Sequence, residues 1–429
     1  MLVETPALGR SGRPDVSVAQ PASGPVGPSG AAAPSPLGFV AFCGGVAAPT
    51  ASGHRPSRQG RHYRCESVPR VRERIATAMV ALASGVWVSA ALLARSEKRR
   101  REVVAREPVT RGGGGPLVSI VVPARNEAGE IGQTVDSLLA QTHRDIELVV
   151  VDDQSSDRTA VAARQAIGDD PRARVLHGGA PPEGWLGKPW ACTQGVLATR
   201  GEWLLFSDAD VRHEPTALAR ALGLARRLEV EGVSLLPHIR TGSLAEQIVL
   251  PAALTAISTF VAPGPLVRSQ RSRVAISVGG WTLITRAAYE AIGGHEAVSD
   301  RVAEDVELAR NAKAEGVQIV LADGVELASL RMYRGLTGLW RGWSKNAGFG
   351  VRGGAGAALA GGVALGYLAM TPPTATVVGL VTGRRAVAAA GAAGWVAQAA
   401  LHVMARPAVE TRGVLSPAFP LGMTFLSAV

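Results

Sequence analysis

Residues 146–159 read IELVVVDDQSSDRT. A short apolar run rich in β-branched residues, closed by carboxylates and a polar turn, has the character of a buried strand. Asp157 then stands where it can cap a following helix. Working outward, Val118 to Val122 forms another such run, and Ile131, Val135, Leu138 and Leu139 recur after it at helical spacing. Downstream, Trp203 to Ser207 reads as a further strand. Pro215 suits the first turn of a helix whose Leu218, Leu222 and Ala225 share a face. Strands alternating with helices imply an α/β domain with a mainly parallel sheet, in which ligands sit at the carboxyl ends of the strands.

The 429 residues hold room for one large domain plus extra segments, and 47% hydrophobic residues suffice for a sizeable core. The formal charge is +10, but the basic residues gather beside an apolar segment and do not interleave with stacking aromatics. Anionic lipid headgroups therefore fit better than nucleic acid. Cys43, Cys65 and Cys192 give no paired framework and no metal-ligand spacing, which suits a reducing compartment and a small buried thiol at Cys192.

Residues 1–70, rich in Pro, Gly, Ala and Ser without sustained period, read as a disordered extension. Ile75 to Ala94 carries no charge and is long enough to span a bilayer as a helix, and the Lys98 to Arg101 run after it resembles a cytoplasmic stop. A catalytic domain is expected over residues 116–350. Residues 355–429 turn apolar again, with Ala355 to Val381 and Ala386 to Ala405 each of spanning length and Leu415 to Val429 shorter. Pro372 and Pro373 are expected to break the first of these into a hairpin. The resulting picture is a multi-pass membrane protein with its catalytic domain in the cytoplasm. Leu336, Leu339, Trp340 and Trp343 fall on one helical face, with Arg334, Arg341 and Lys345 near the opposite one, as in a helix lying in a membrane interface. Leu244 to Val261 is apolar enough for a second, although Pro251 argues against an uninterrupted helix.

Chemistry concentrates where strands end. Asp152 and Asp153 emerge from the quoted strand, and one of them can accept hydrogen bonds from a base or ribose. Asp208-Ala209-Asp210 follows Trp203 to Ser207, and alternate carboxylates there can converge on one hard divalent cation. Solvated turn carboxylates are the plainer reading. Glu304 and Asp305 open a helical run, where acids suit the helix dipole or where one serves as a general base; local sequence leaves both readings open. Lys188, in a Gly-rich loop between Trp185 and Trp190, can meet a diphosphate or remain a surface lysine.

Taken in order, VSIVVPARNE, VVVDDQSSD, GKPWACTQG, LLFSDAD, GGWTLITRAAYEAIGG and AED resemble the successive motifs of family 2 glycosyltransferases. The resemblance implies a glycosyltransferase-A fold, with a Rossmann-like mixed sheet and flanking transmembrane helices, a nucleotide-diphosphate sugar donor and inverting transfer. Pro123, Arg125, Asn126 and Glu127 would border the nucleotide, Asp153 with Asp152 would hold the base, and Lys188 would lie near the donor. Asp208 and Asp210 would bind Mg²⁺ or Mn²⁺, with Asp208 also facing the donor. Asp305, beside Glu304, would take the proton from the acceptor. Gly279, Gly280 and Trp281, with Arg341 and Trp343, would shape the acceptor pocket. Processive members carry a Gln-x-x-Arg-Trp motif; LWRGWSKN lacks the Gln and separates Arg341 from Trp343, so a polysaccharide synthase is the less favoured alternative, beside a non-catalytic nucleotide-binding scaffold. RMYRG followed by LWRGWSKN is more similar to membrane-linked members acting on carotenoids or in hopanoid pathways, which implies a lipid-like acceptor.

Overall fold

The computed structural model describes residues 68–109, 114–346 and 354–429. The expected disordered extension lies outside the described residues, apart from Val68 to Arg70 at the start of a helix. The strands are β1 Val118–Ala124, β2 Ile146–Asp152, β3 Ala173–His177, β4 Trp203–Ser207, β5 Arg212–His213, β6 Gly232–Leu236, β7 His238–Ile239, β8 Trp281–Thr285, β9 Ile319–Asp323 and β10 Ala328–Leu330. Seven of them form one sheet in the order β3-β2-β1-β4-β8-β6-β9, in which only β8 runs antiparallel to its neighbours. A second small sheet has the order β5-β10-β7. The domain is thus built on a mixed, mainly parallel α/β sheet.

The central strands are continuous apolar runs because both faces are covered. Along β1, Val118, Ile120 and Val122 pack with Ile131, Val135 and Leu138 on one face. Val121 points the other way, against Ala191 and Cys192. The alternation continues in β2 and β4, where Leu148, Val150 and Leu205 join the first layer and Val149, Val151, Leu204 and Phe206 the second. Truncating any one of these fully buried side chains to Ala should cost about 2–5 kcal/mol. Pro123 is tolerated in the middle of the sheet because β4 pairs with β1 only as far as Val121↔Phe206, so the missing N–H falls beyond that ladder. The sheet thus opens at the carboxyl ends of β1 and β4.

Among the described residues, four helices are long and apolar enough to cross a membrane: Val71–Arg100, Leu244–Val261, Gly354–Val381 and Arg385–Ala405. The helix Gly354–Val381 runs through Pro372 and Pro373, so the expected hairpin does not form. The reason lies in the two carbonyls that these prolines leave without an N–H partner, four residues back. Trp87 Nε1 donates to the Leu368 carbonyl at 2.7 Å and Gln398 Nε2 to the Ala369 carbonyl at 2.9 Å. Pro251 is accommodated in helix Leu244–Ala256 in the same way: the Gln247 carbonyl accepts from Thr411 Oγ1 at 2.9 Å and pairs with His402 Nε2 at 3.2 Å. Interhelical donors thereby replace the lost backbone bonds. Small residues allow the close approach these bonds need, since a Cβ on Gly391 would meet the Pro372 carbonyl at 2.7 Å.

The expected one-sided helix also divides. In helix Gly335–Asn346, Leu336 and Trp340 are exposed as anticipated. Leu339 is buried and Trp343 packs with it against Val249 and Leu250 of helix Leu244–Ala256. Glu246, buried in the first turn of that helix, draws the elements together: it accepts from Gly242 N, Gly335 N, Ser243 Oγ and Arg331. Ser243 caps the helix by accepting from Glu246 N, while its hydroxyl donates to the Glu246 carboxylate.

Candidate active site

The carboxyl ends of β1, β2 and β4 face the first turns of helices Gly187–Leu197 and Glu304–Ala314, and acidic side chains from both sides meet there. Lys188 stands between them. Its Nζ lies 2.7 Å from Asp208 Oδ1 and 2.8 Å from Glu304 Oε1. Burial opposes the ammonium charge, but Asp208, Glu304 and Asp305 outweigh it and hold the Lys188 pKa well above that of an ordinary lysine. Asp305 Oδ2 accepts from Gly279 N at 2.7 Å, and its Oδ1 accepts from Val306 N at 2.8 Å. Burial, reinforced by Glu304 and opposed by Lys188, raises the Asp305 pKa to about 6. A carboxyl so tuned is ionised at neutral pH yet basic enough to take a proton.

Asp210 lies deeper. Burial first, then Asp208 and Glu127, push its pKa to about 7. Burial and the charges of Asp208, Glu130 and Asp157 also raise Glu127. Such mutual repulsion is relieved by a cation, so Asp208 and Asp210 fit Mg²⁺ or Mn²⁺ as a hard-oxygen pair. No third His, Cys, Asp or Glu joins them in a metal-binding group among the described residues. The remaining ligands would come from water and a diphosphate.

A buried hydrogen-bond chain fixes the Asp208–Asp210 turn. Trp281 Nε1 donates to His213 Nδ1 at 3.0 Å, His213 Nε2 meets Ser207 Oγ at 3.0 Å, and Ser207 Oγ donates to the Asp208 carbonyl at 3.1 Å. Burial lowers the His213 pKa to about 3, so the ring is neutral, with Nε2 carrying the proton that this chain requires. From the other side, Thr134 Oγ1 donates to the Ala209 carbonyl at 2.7 Å. The sequence pattern for this chain exists only as separated Ser, His and Trp residues, and none was singled out as a support for the turn.

At the end of β2 the two aspartates part company. Asp153 is buried, lies 3.5 Å from Arg125 Nη1 through Oδ2, and keeps Oδ1 without a hydrogen-bond partner. Asp152 instead accepts from Ser155 N at 3.3 Å and lies 3.4 Å from His177 Nδ1, so it organises the turn toward β3. Asp157 takes the structural role expected of it, accepting from Thr159 N at 2.9 Å and Ala128 N at 3.2 Å. Asn126 adopts φ 58°, its Oδ1 accepting from Ser156 N at 2.8 Å, which clasps the β1 and β2 turns together.

Pro123, Lys188, Asp208, Gly279, Glu304 and Asp305 line a common cleft. A Cβ on Gly280 would lie 3.6 Å from Asp208 Oδ2, so this glycine backs the same carboxylate. Cys192 is buried there and its thiol pKa is pushed up by burial, as suits a packing role. Trp281 requires correction: it is 0% exposed and belongs to the core layer, so it supports the Asp208–Asp210 turn and cannot touch an acceptor. Arg341 and Trp343 likewise do not line the cleft. Just before their helix, Arg334 lies 2.5 Å from Glu130 Oε1 and opposes the acidic neighbours that raise the Glu127 pKa.

A mixed sheet with acidic side chains gathered at the carboxyl ends of its strands thus forms the candidate site. Residues 119–293 match the family model described as glycosyl transferase family 2. Two curated relatives are both named 4,4'-diaponeurosporenoate glycosyltransferase. The protein from Staphylococcus haemolyticus is 27% identical over 53% of this chain and 60% of its own length. That from Staphylococcus aureus is 28% identical over the same shares. The chain thus spans about 60% of the length of these relatives. Among solved structures, a mannosyltransferase from Pyrobaculum calidifontis in complex with GDP-Man and Mn²⁺ is 18% identical, with 82% of this chain and 97% of that one covered and a TM-score of 0.43.

Proposed function

We propose that the protein transfers a single sugar from a nucleotide-diphosphate sugar to the hydroxyl or carboxylate of a lipid-like acceptor, with inversion, at the cytoplasmic face of the cell membrane. One observation carries the reading: Asp208, Lys188, Glu304 and Asp305 meet in one cleft although they come from distant parts of the chain. Asp153, beside Arg125 at the end of β2, would hold the base of the nucleotide, with Asn126 at the rim. Asp208 and Asp210 would hold a divalent cation, which when bound would supply charge neutralisation for a diphosphate leaving group. Asp305 accepts the proton of an acceptor hydroxyl as that oxygen attacks the anomeric carbon, while the bond to the diphosphate breaks and the nucleoside diphosphate leaves with the electron pair. Gly279 N holds Asp305 in place, and Lys188 keeps the neighbouring Glu304 paired.

The names of the curated relatives support an acceptor of carotenoid type, and the candidate membrane-spanning helices support delivery from a bilayer. Lipids extracted from cells with and without the protein test this by mass spectrometry: one added hexose mass on an apolar product is expected, absent when Asp210→Ala replaces the wild type. A product ladder would point to a processive enzyme. The reading fails if purified protein with Mn²⁺ or Mg²⁺ neither binds nor turns over any nucleotide sugar.

A further inference from the structure

A second cavity, of about 580 Å³, lies beside the cleft and plays no part in the chemistry above. That volume is in the range of sites that enclose a small organic ligand. Apolar side chains such as Leu93, Leu254, Ile257, Ile276 and Val320 form much of its wall, and charged residues including Lys98, Arg101 and Lys313 also line it. Three of the candidate spanning helices, Val71–Arg100, Leu244–Val261 and Arg385–Ala405, contribute residues near their carboxyl-terminal ends, so the cavity lies where the apolar helices meet the α/β domain.

The wall between cavity and cleft is the single extended strap 275–279. Ala275, Ile276 and Val278 face the cavity, whereas Ser277 and Gly279 face the cleft, and Ala309 and Ile319 line both. Asp305, Ala309 and Lys313 recur at intervals of four along helix Glu304–Ala314, on one face. Lys313 therefore sits roughly 12 Å from Asp305 along the helix axis at 1.5 Å per residue. Its Nζ donates to the carbonyls of Leu266, Val267 and Val274 and holds the strap in place. Glu97 pairs with Arg268 on the other side and closes the same segment against helix Val68–Arg100.

We infer that this cavity is the acceptor site. It takes an elongated apolar molecule whose terminal oxygen, as hydroxyl or carboxylate, reaches Asp305 past Gly279 while its body lies along Ala309 toward the helix ends. The assignment rests on the proposed transferase activity for its direction, and on the shared walls for its place. An apolar acceptor needs a path from the bilayer to a polar reaction centre, and this cavity touches the ends of spanning helices and shares Ala309 and Ile319 with the cleft.

The test uses the full chain in lipid nanodiscs and a fluorescent polyene acid, cis-parinaric acid, as probe. Saturable binding is expected, with displacement by retinoic acid if a carboxylate end is recognised and by retinol if an alcohol end is. Leu254→Trp, which fills the cavity from helix Leu244–Ala256, should weaken probe binding at least tenfold and leave Mn²⁺-dependent binding of UDP or GDP unchanged. Retained nucleotide binding shows that the variant is folded. As an independent measurement, alkylation of Ile257→Cys, followed on its own peptide, should slow when the probe is bound. Equal probe affinity in wild type and Leu254→Trp, or labelling of Ile257→Cys that ignores the probe, overturns the assignment. Absent nucleotide binding in the wild type would instead overturn the transferase reading, so the two failures are told apart.

Discussion

Gly187 lies so close to the carboxylate of Asp153 that a Cβ on residue 187 would overlap its Oδ2. The glycine is therefore what lets helix Gly187–Leu197 begin against the end of β2, bringing Lys188 into the cleft. Gly187→Ala should push that first turn outward and displace the Asp153 carboxylate. Nucleotide affinity is expected to fall about tenfold, or about 1.4 kcal/mol, with little change in thermal stability. Titration calorimetry with UDP and GDP decides this, and unaltered affinity would remove Asp153 from the base site.

For Asp305, the raised pKa of about 6 sets a pH dependence. Below that value the carboxyl is protonated and cannot take a proton, so kcat/KM should drop tenfold for each further pH unit. Asp305→Asn should lower kcat by roughly 10²–10⁴-fold and abolish the acidic limb while nucleotide binding persists. A flat profile from pH 5 to 8 in the wild type would assign the base elsewhere.

The burial of Asp210 makes a prediction about stability. Its pKa of about 7 in the folded chain exceeds the ordinary carboxylate value, so the folded state holds the proton more tightly than the unfolded one. That contribution is fully present below about pH 4 and is lost as the pH rises through 7. In chelator, Asp210→Asn should thus melt above the wild type at pH 8, with a gain of up to about 4 kcal/mol, and the two should converge near pH 4. Added Mn²⁺ should stabilise the wild type alone. Identical melting of the two proteins across this range would show that Asp210 is not a strained carboxylate.

Pro372 and Trp87 should behave as a unit. Trp87→Phe removes the donor to Leu368 O and should destabilise the protein by about 1–2 kcal/mol, given the packing retained by the ring and the modest net strength of interhelical hydrogen bonds. Pro372→Ala restores a backbone N–H for that carbonyl. Trp87→Phe should then cost less in the Pro372→Ala background, a coupling of about 1 kcal/mol visible in a double-mutant melting cycle. Strict additivity would mean the indole contributes only by packing.

Much of the α/β layer could be read from residue order. Val118 to Val122, Ile146 to Val151 and Trp203 to Ser207 are all buried strands, because apolar runs ended by carboxylates leave few alternatives. The antiparallel β8 was not anticipated, since WTLIT carries no mark of direction. Side-chain destinations were harder still. Trp281 follows two glycines in a family motif and invites a pocket role, yet its indole points into the core toward His213, a partner 68 positions away. Asp152 and Asp153 are equivalent as neighbours in sequence, yet the first turns to Ser155 and His177 and the second to Arg125. Prolines at 251, 372 and 373 correctly signal broken backbone bonds; what local reading cannot see is that donors from other elements replace them.

Those donors arrive at different times. On the ribosome, Trp87 is made 281 residues before Leu368, whereas Gln398 follows Ala369 by 29. The first proline-freed carbonyl thus finds its donor already synthesised, and the second stays bare until most of the next helix has emerged. A chain truncated after Val381 would carry one satisfied carbonyl and one orphan, which makes helix Arg385–Ala405 a folding partner of its predecessor as well as a neighbour.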